Sequence, residues 1–441
     1  MDSAWHSVAG YRALSAILAE AVQKAVKQKI PIGLNKSTSN LFRERTSVRK
    51  YKLDVRRLDR VLQISPETMT ADVEGMTTYE TLVEESLEFG LLPTVVPELK
   101  TITIGGAVSG LGIESSSFKY GLVHEGIEEL DILTGDGRIV TCTSSRNQDL
   151  FFAFPNSYGT LGYALRLKLR LVPVETYVHV AHSRFSRASD FFSEIGRLQE
   201  DHAIDFLEGT VFSRDEMYIS RGRLRPDALQ VSNYTQMAIY YRSIQRRQND
   251  WLTTKDYVWR WDTDWFWCSK YFGVQIPFIR FFARGALHSR NYQRLMRASQ
   301  RLLPTSSTME SVIQDVQIPF ERAEEFFDFI LAEVGITPVW VCPFKTSGCS
   351  YDLCTFRKSH NYVNFGFWDR VPITDGNISF VKAIEQKVAE LGGAKGLYST
   401  SRYDRDTFWS LFNKQRYDEL KHAYDPHGLF PDLYAKCVGR I

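Results

Sequence analysis

The 441-residue chain has little of what marks several protein classes. Cysteine is scarce: Cys142, Cys268, Cys342, Cys349, Cys354 and Cys437 are scattered without paired spacing. No second pair or nearby histidine joins Cys349 and Cys354 in a zinc set. A disulfide scaffold and a metal module are therefore not expected, and reduced cytosolic thiols are. The formal net charge is only +2, which gives nucleic acid no reason to bind. No run approaches the ~20 apolar residues of a spanning helix, and the N-terminus lacks the apolar core and cleavage site of a secretory signal. Three fingerprints are missing as well. Gly110-Leu-Gly-Ile-Glu-Ser115 lacks the third small residue of the dinucleotide motif, and no G-K-[ST] completes a phosphate loop. Gly106-Ala-Val-Ser-Gly110 is not a nucleophile elbow.

What is present is an ordinary globular balance, 44% hydrophobic and 24% charged, with an aromatic share of 13% that suits a large apolar pocket or interface. The length allows two or three domains. Residues 1–30 read as an amphipathic helix with Leu14, Ile17, Leu18, Ala21 and Val22 on one face. From Ile30 to about Val174, short β-branched runs at 94–97, 130–134, 138–143 and 165–171 read as strands. A helix is predicted over 77–89, stopped by Gly90, and Asp136-Gly137 signals a hairpin. After Pro173 longer amphipathic stretches (189–202, 320–334, 379–391) alternate with strands at 209–219 and 312–318. The expected fold class is α+β, with a boundary near residue 175 between a glycine-rich part and a larger α+β cap.

The glycine-rich stretch is PELKTITIGGAVSGLGIESSSFKYGL at 97–122. Glycines let the main chain approach a flat ring or a diphosphate, and free N–H groups with hydroxyls can cradle phosphate oxygens. Tight turns between strands would use the same residues, and spacing alone does not separate the two. Pro97-Glu98, TIGG at 103–106, GLGIESSS at 110–117 and KYGL at 119–122, with LNKSTSNLF at 34–42 and Gly159-Thr-Leu-Gly162, resemble the flavin-binding core of the vanillyl-alcohol-oxidase (PCMH-type) superfamily. More narrowly, they are similar to the Δ24-sterol reductase (diminuto/seladin) family. The likeness continues through IQDVQIPF (313–320), PVWVCPF (338–344), LYSTSRYDRDTFWSLF (397–412) and FPDLYAKC (430–437).

The resemblance implies a two-part FAD-binding domain over 1–175, and a substrate cap over 176–441 whose C-terminal tail returns to the flavin domain. It implies FAD contacts from Ser37, Thr38, Ser39, Asn40, Pro97, Thr103, Gly105, Gly106, Gly110, Gly112, Ile113, Ser115, Ser116, Tyr120, Gly121, Gly159 and Gly162. The loops 34–42 and 105–121 hold no histidine or cysteine, and His124 reads as a supporting or surface residue, so non-covalent FAD is expected. The implied reaction is reduction of a lipid C=C bond with NADPH as electron donor. The lipid would be a sterol side chain or a methylene fatty acyl chain.

Candidate proton donors are Tyr120, Tyr398, Tyr403 and Asp404, with Lys119 and Glu114 near the flavin loop; Trp340 and Phe344 are candidate pocket walls. Residues 257–285 combine Trp259, Trp261, Trp265 and Trp267 with seven Tyr or Phe and interleaved basic residues, a pattern for peripheral membrane contact or a lipid tunnel. Family members from animals and plants carry a membrane-spanning segment ahead of the flavin domain. This chain starts at its amphipathic helix, so a cytoplasmic or peripherally bound protein is expected. The competing readings are an oxidase or dehydrogenase of an alcohol or hydroxy acid, and a non-catalytic lipid-binding flavoprotein.

Overall fold

The computed structural model describes residues 2–37, 42–43, 50–292, 294–295, 309–373 and 379–439. Helix α1 (Asp2–Gln28) buries Tyr11, Ser15, Leu18, Val22 and Ala25 along one stripe. Ile17, expected on that face, is exposed, because it sits about 100° of helical rotation from Leu18. The stripe packs on Ile32, Leu53, Leu133 and Leu165, and the Tyr11 hydroxyl donates to Asp131 Oδ2 at 2.8 Å. Behind α1, β1 (Ile32–Asn35) and β2 (Tyr51–Asp54) pair in parallel.

A second, antiparallel sheet runs β3 (Val61–Ser65), β4 (Thr70–Glu74), β8 (Tyr163–Pro173), β6 (Ile127–Leu133), β7 (Ile139–Thr143), with β5 (Leu91–Pro93) on the far end of β8. Helix α2 (Tyr79–Leu87) covers it with Tyr79, Leu82 and Val83. Thr78 caps α2 by accepting the Thr81 N–H at 3.2 Å, and Gly90 ends the segment in a left-handed conformation. The β6–β7 turn at Asp136-Gly137 is as the sequence signals. The strand expected over 94–97 lies instead at Leu91–Pro93. The Thr94 carbonyl accepts the Ser116 hydroxyl at 2.8 Å rather than a strand neighbour.

The third sheet has eight antiparallel strands: β9 (Tyr177–Phe185), β10 (Phe206–Ser213), β11 (Glu216–Arg225), β12 (Asn249–Thr253), β13 (Met309–Pro319), β14 (Val339–Lys345), β15 (Asn361–Pro372) and β16 (Ala394–Lys395). Their order is β12-β9-β11-β10-β14-β15-β13-β16. The single strand expected over 209–219 is a hairpin, broken where Ser213 Oγ donates to Asp215. Helices Ala188–Gln199, Ala323–Phe329 and Phe380–Glu390 cover one face. The two-residue period of a strand decides what meets them. Val312, Val316, Val341, Val363 and Phe365 join the helices, whereas Asp315, Gln317, Trp340 and Trp368 line a cavity on the other face. The chain then returns to the first sheets: Tyr424 O accepts the Gly135 N–H at 2.7 Å, and Leu429 O accepts that of Ile32 at 2.9 Å. The six cysteines are free, and among the described residues no helix is long and apolar enough to cross a membrane.

Candidate functional site

The three sheets and the returning tail enclose a cavity of about 700 Å³, within the ~300–1,000 Å³ typical of ligand sites. Eleven of its lining residues are glycine. Helix α3 (Ile104–Gly110) is N-capped by Thr103, whose Oγ1 accepts the Gly106 N–H at 3.2 Å. A Cβ on Gly105 would stand 2.7 Å from Gly75 O, and one on Gly162, at φ +151°, 2.5 Å from the Ile132 side chain. Main chain therefore approaches main chain where any side chain would hold the walls apart.

One end of the cavity is cationic. Lys36, Arg43, Lys50, Lys52 and Lys436 line it, and the Arg43 guanidinium lies over the Tyr158 ring at 5.1 Å. Burial, with help from Arg43, Lys36 and Lys50, pushes Lys436 down to about 7, while Cys437 opposes the shift. Lys436 Nζ donates to Gly159 O at 3.3 Å.

The other end is aromatic and carries a carboxyl group. Trp265, Phe266, Trp340, Trp368 and Tyr398 surround Asp315. Asp315 and Trp340 both face Gly366 across the sheet, and a Cβ there would lie 2.7 Å from Asp315 Oδ1. Asn364 Nδ2 donates to Asp315 Oδ1 at 2.8 Å and the Tyr398 hydroxyl to Oδ2 at 2.7 Å. Each carboxyl oxygen thus accepts one of these bonds and keeps a lone-pair direction for a proton. Burial raises Asp315 to about 6 against the pull of those two donors. Trp265 and Phe266 hold φ of +45° and +62°, a conformation that costs side-chain-bearing residues ~1–3 kcal/mol each and gathers at functional sites. Beneath this wall, buried Arg260 bridges Glu114 (2.7 Å) and Glu208 (2.8 Å), and Glu208 also accepts the Trp340 and Trp261 indole N–H groups. Burial alone would raise Glu208, but the Arg260 charge and these donors bring it below the usual carboxylate range.

Residues 15–143 match a family model described as an FAD binding domain. The chain is 26% identical over 400 residues to the Delta(24)-sterol reductase of Macaca fascicularis, covering 85% of this chain and 75% of that protein. It is 25% identical over 432 residues to the Arabidopsis thaliana Delta(24)-sterol reductase (88% and 76% covered). It is 23% identical over 403 residues to cytokinin dehydrogenase 1 of the same plant (84% and 67% covered). This chain is an FAD-binding oxidoreductase.

The flavoprotein's cavity fits FAD on its own features: a glycine-built wall, a cationic end suited to a diphosphate, and Glu98, whose buried Oε1 has no partner among the described residues. Burial and the neighbouring Glu114 push Glu98 well above the usual carboxylate range. Of the residues expected to touch FAD, Pro97, Thr103, Gly105, Gly106, Gly110, Gly112, Ile113, Gly159 and Gly162 line the cavity. Ser115, Ser116, Tyr120 and Gly121 stand behind the wall. Ser115 is buried at the Arg260 bridge, Ser116 is tied to Thr94, Tyr120 packs under Lys119 at 5.5 Å, and Gly121 abuts Glu125. Ser37 is exposed, and Thr38, Ser39 and Asn40 lie outside the described residues.

Among the candidate donors, Tyr398 alone lines the cavity. Tyr403 is buried beside Lys395, and Asp404 caps the helix Arg405–Leu411 by accepting the Thr407 N–H at 2.8 Å. Lys119 pairs with Asp205, and Glu114 with Arg260. Trp340 is a cavity wall; Phe344, two strand periods further along β14, packs with Leu122 and Tyr362 beyond the cavity. His124 is buried edge-on to Tyr351 at 4.3 Å, away from the cavity. Sequence reasoning missed Glu98, Asp315, Arg43 and Lys436. Asp315 had a signal: an acid inside IQDVQIPF, flanked by Val312, Val316 and Ile318 on the opposite face of the strand.

Proposed function

We propose that residues 1–175 form a two-part, PCMH-type FAD-binding domain and 176–441 an α+β cap, together reducing a C=C bond in a lipid. FAD is held non-covalently and recharged by NADPH. The reading rests on one observation: the aromatic end of the cavity surrounds a carboxyl that holds its proton to about pH 6. The names of the Delta(24)-sterol reductases support it. Bound FAD supplies two-electron, hydride-equivalent chemistry.

The protein's own groups do the rest. Gly105, Gly106, Gly110 and Gly112 let the main chain lie against the cofactor, and Lys436 with Arg43 offers charge to its diphosphate. Trp265, Phe266, Trp340 and Trp368 exclude water and hold the lipid; each buried methylene contributes ~0.8 kcal/mol. An isolated alkene has no carbonyl to polarise, so an acid has to stand beside it. Asp315 is that acid: its proton goes to one alkene carbon, and Tyr398, hydrogen-bonded to the resulting carboxylate, keeps it oriented while water returns the proton. A lipid covering Asp315 removes water from it and raises its affinity for the proton further.

The test is an anaerobic absorbance titration of the purified protein. Bleaching of the flavin by NADPH, followed by recovery on adding a Δ24 sterol or a methylene fatty acyl lipid, supports the reading and names the lipid. An oxidised flavin in NADPH together with oxygen uptake on an alcohol replaces it with the oxidase reading. A flavin that no donor or substrate alters leaves the lipid-binding role.

A further inference from the structure

The four tryptophans of the 257–267 segment are interior: Trp259, Trp261, Trp265 and Trp267 are all buried. The rings that face water come later, on the helix Pro277–Ala283. Phe278 and Phe282 are 74% and 73% exposed, with Phe281, Ile276 and Ile279 exposed beside them. On the same helix Arg280 is turned inward, donating to both Asp264 oxygens (2.7 and 2.9 Å) and to Gln236 O at 2.8 Å. The usual arrangement is inverted, with charge inside and rings outside, and a buried ion pair fixes it so. Single exposed apolar residues need no explanation, but a contiguous cluster does.

The stretch of sequence that carries the patch is basic, although Arg280 pairs with Asp264, Lys270 with Asp369 and Arg290 with Glu80. From Trp265 to Met309 the sequence holds no Asp or Glu but seven Lys or Arg, in a chain with 52 acidic residues. Arg284 is exposed at the patch, its guanidinium 4.4 Å over the Phe281 ring, and Arg294 is exposed ten residues further along the chain. Four residues before Ile276 in the chain, Phe272 packs on Tyr292 at 5.2 Å, and Tyr292 stacks on the cavity residue Trp265 at 6.1 Å. A second copy of the chain would bring the same positive charge against itself, whereas anionic headgroups complement it.

We infer that the Pro277–Ala283 helix seats the protein on an anionic lipid surface, its phenylalanines entering the headgroup–acyl boundary and Arg284 and Arg294 meeting the headgroups. This goes beyond the proposed reaction and is read out by binding alone. The experiment is co-sedimentation of the full chain with vesicles of phosphatidylcholine, alone or mixed with phosphatidylglycerol. The wild type is expected to sediment with the mixed vesicles, more weakly with phosphatidylcholine alone, and less as salt is added.

Phe278→Ser with Phe282→Ser is expected to weaken binding roughly tenfold per ring, at an unchanged melting temperature. Arg284→Glu is expected to weaken it roughly fivefold on the anionic vesicles only. A wild type that ignores both vesicles, or a double variant that binds like the wild type, overturns the inference. So does a wild-type dimer that ignores vesicles and that the double variant dissociates, because the patch is then a contact between copies.

Discussion

The two ends of the cavity are made by opposite means. Along the glycine-rich part the wall is main chain, with Gly75, Gly105 and Gly162 placed where a Cβ would strike backbone or a neighbouring strand. At the aromatic end it is side chain: Trp340, Trp368 and Asp315, set by alternation along three neighbouring strands and anchored from below by the Arg260 bridge. Main chain gives shape and tolerates almost no substitution. Side chains give chemistry, and they can be exchanged one at a time without moving the sheet. General cofactor binding is thus expected to sit in the first end, and the choice of substrate in the second.

The largest expected effect belongs to the aromatic end. Asp315→Asn keeps the shape and the Tyr398 contact but removes the proton, so reoxidation of NADPH-reduced flavin by an alkene lipid falls by ~10²–10⁴. Bleaching by NADPH is unchanged. Because Asp315 holds its proton to about pH 6 and a covering lipid extends that range upward, the wild-type alkene step slows as pH rises above about 6, and the variant shows no such step. Equal slowing of both half-reactions would break the division between the two ends.

At the glycine end, Gly75→Ala puts a Cβ 2.0 Å from Ala164 O, and the β4–β8 junction has to move. A stability loss of ~3 kcal/mol or more is expected in denaturant melts of the apoprotein, with loss of FAD retention. A well-folded Gly75→Ala protein would falsify the claim that this wall is sterically closed.

A smaller effect separates charge from shape at the same end. Lys436→Met is expected to raise the FAD dissociation constant by roughly tenfold, from the loss of one charge-assisted contact. The folded pKa of Lys436 is depressed to about 7, so the apo fold favours the neutral amine and gains stability as pH climbs above that value. FAD favours the charged amine, so affinity falls as pH rises above about 7, and the variant should lose that slope. Arg43, Lys36 and Lys50 face the same amine, and a slope that survives in the variant overturns its assignment to Lys436.

The smallest change is Trp340→Phe. It keeps a ring at the wall and removes one of the donors to Glu208, which retains Arg260 and Trp261; ~1 kcal/mol of stability is expected to go, as read in the same melts.

Much of the first end was legible in the chain. TIGG and GLGIESSS announce main chain packed without side chains, and of the residues named there the TIGG threonine and glycines reached the cavity. Ser115, Ser116, Tyr120 and Gly121 did not, because the chain turns through a short helix after Glu114 and sends them behind the wall. The second end was hardly legible. Trp340 was named, but Asp315 looks like one polar residue in an amphipathic strand until β15 and the 396–398 loop bring Asn364 and Tyr398 to it.

The aromatic segment shows the same limit in reverse. Composition marks 257–285 as rings mixed with cations, but it does not say which rings face out. Four tryptophans went inside and three phenylalanines remained in water, because Arg280 found Asp264. Sequence by itself determined the α+β alternation and the β6–β7 hairpin, since each depends on local backbone preference and on periods of two and about 3.6 residues, whereas the flavin reading of the glycine-rich segment came from the resemblance of its motifs. Only the tertiary structure decided the acid, the cations and the exposed face. Burial and charge pairing are properties of neighbours distant in sequence, and no local window contains them.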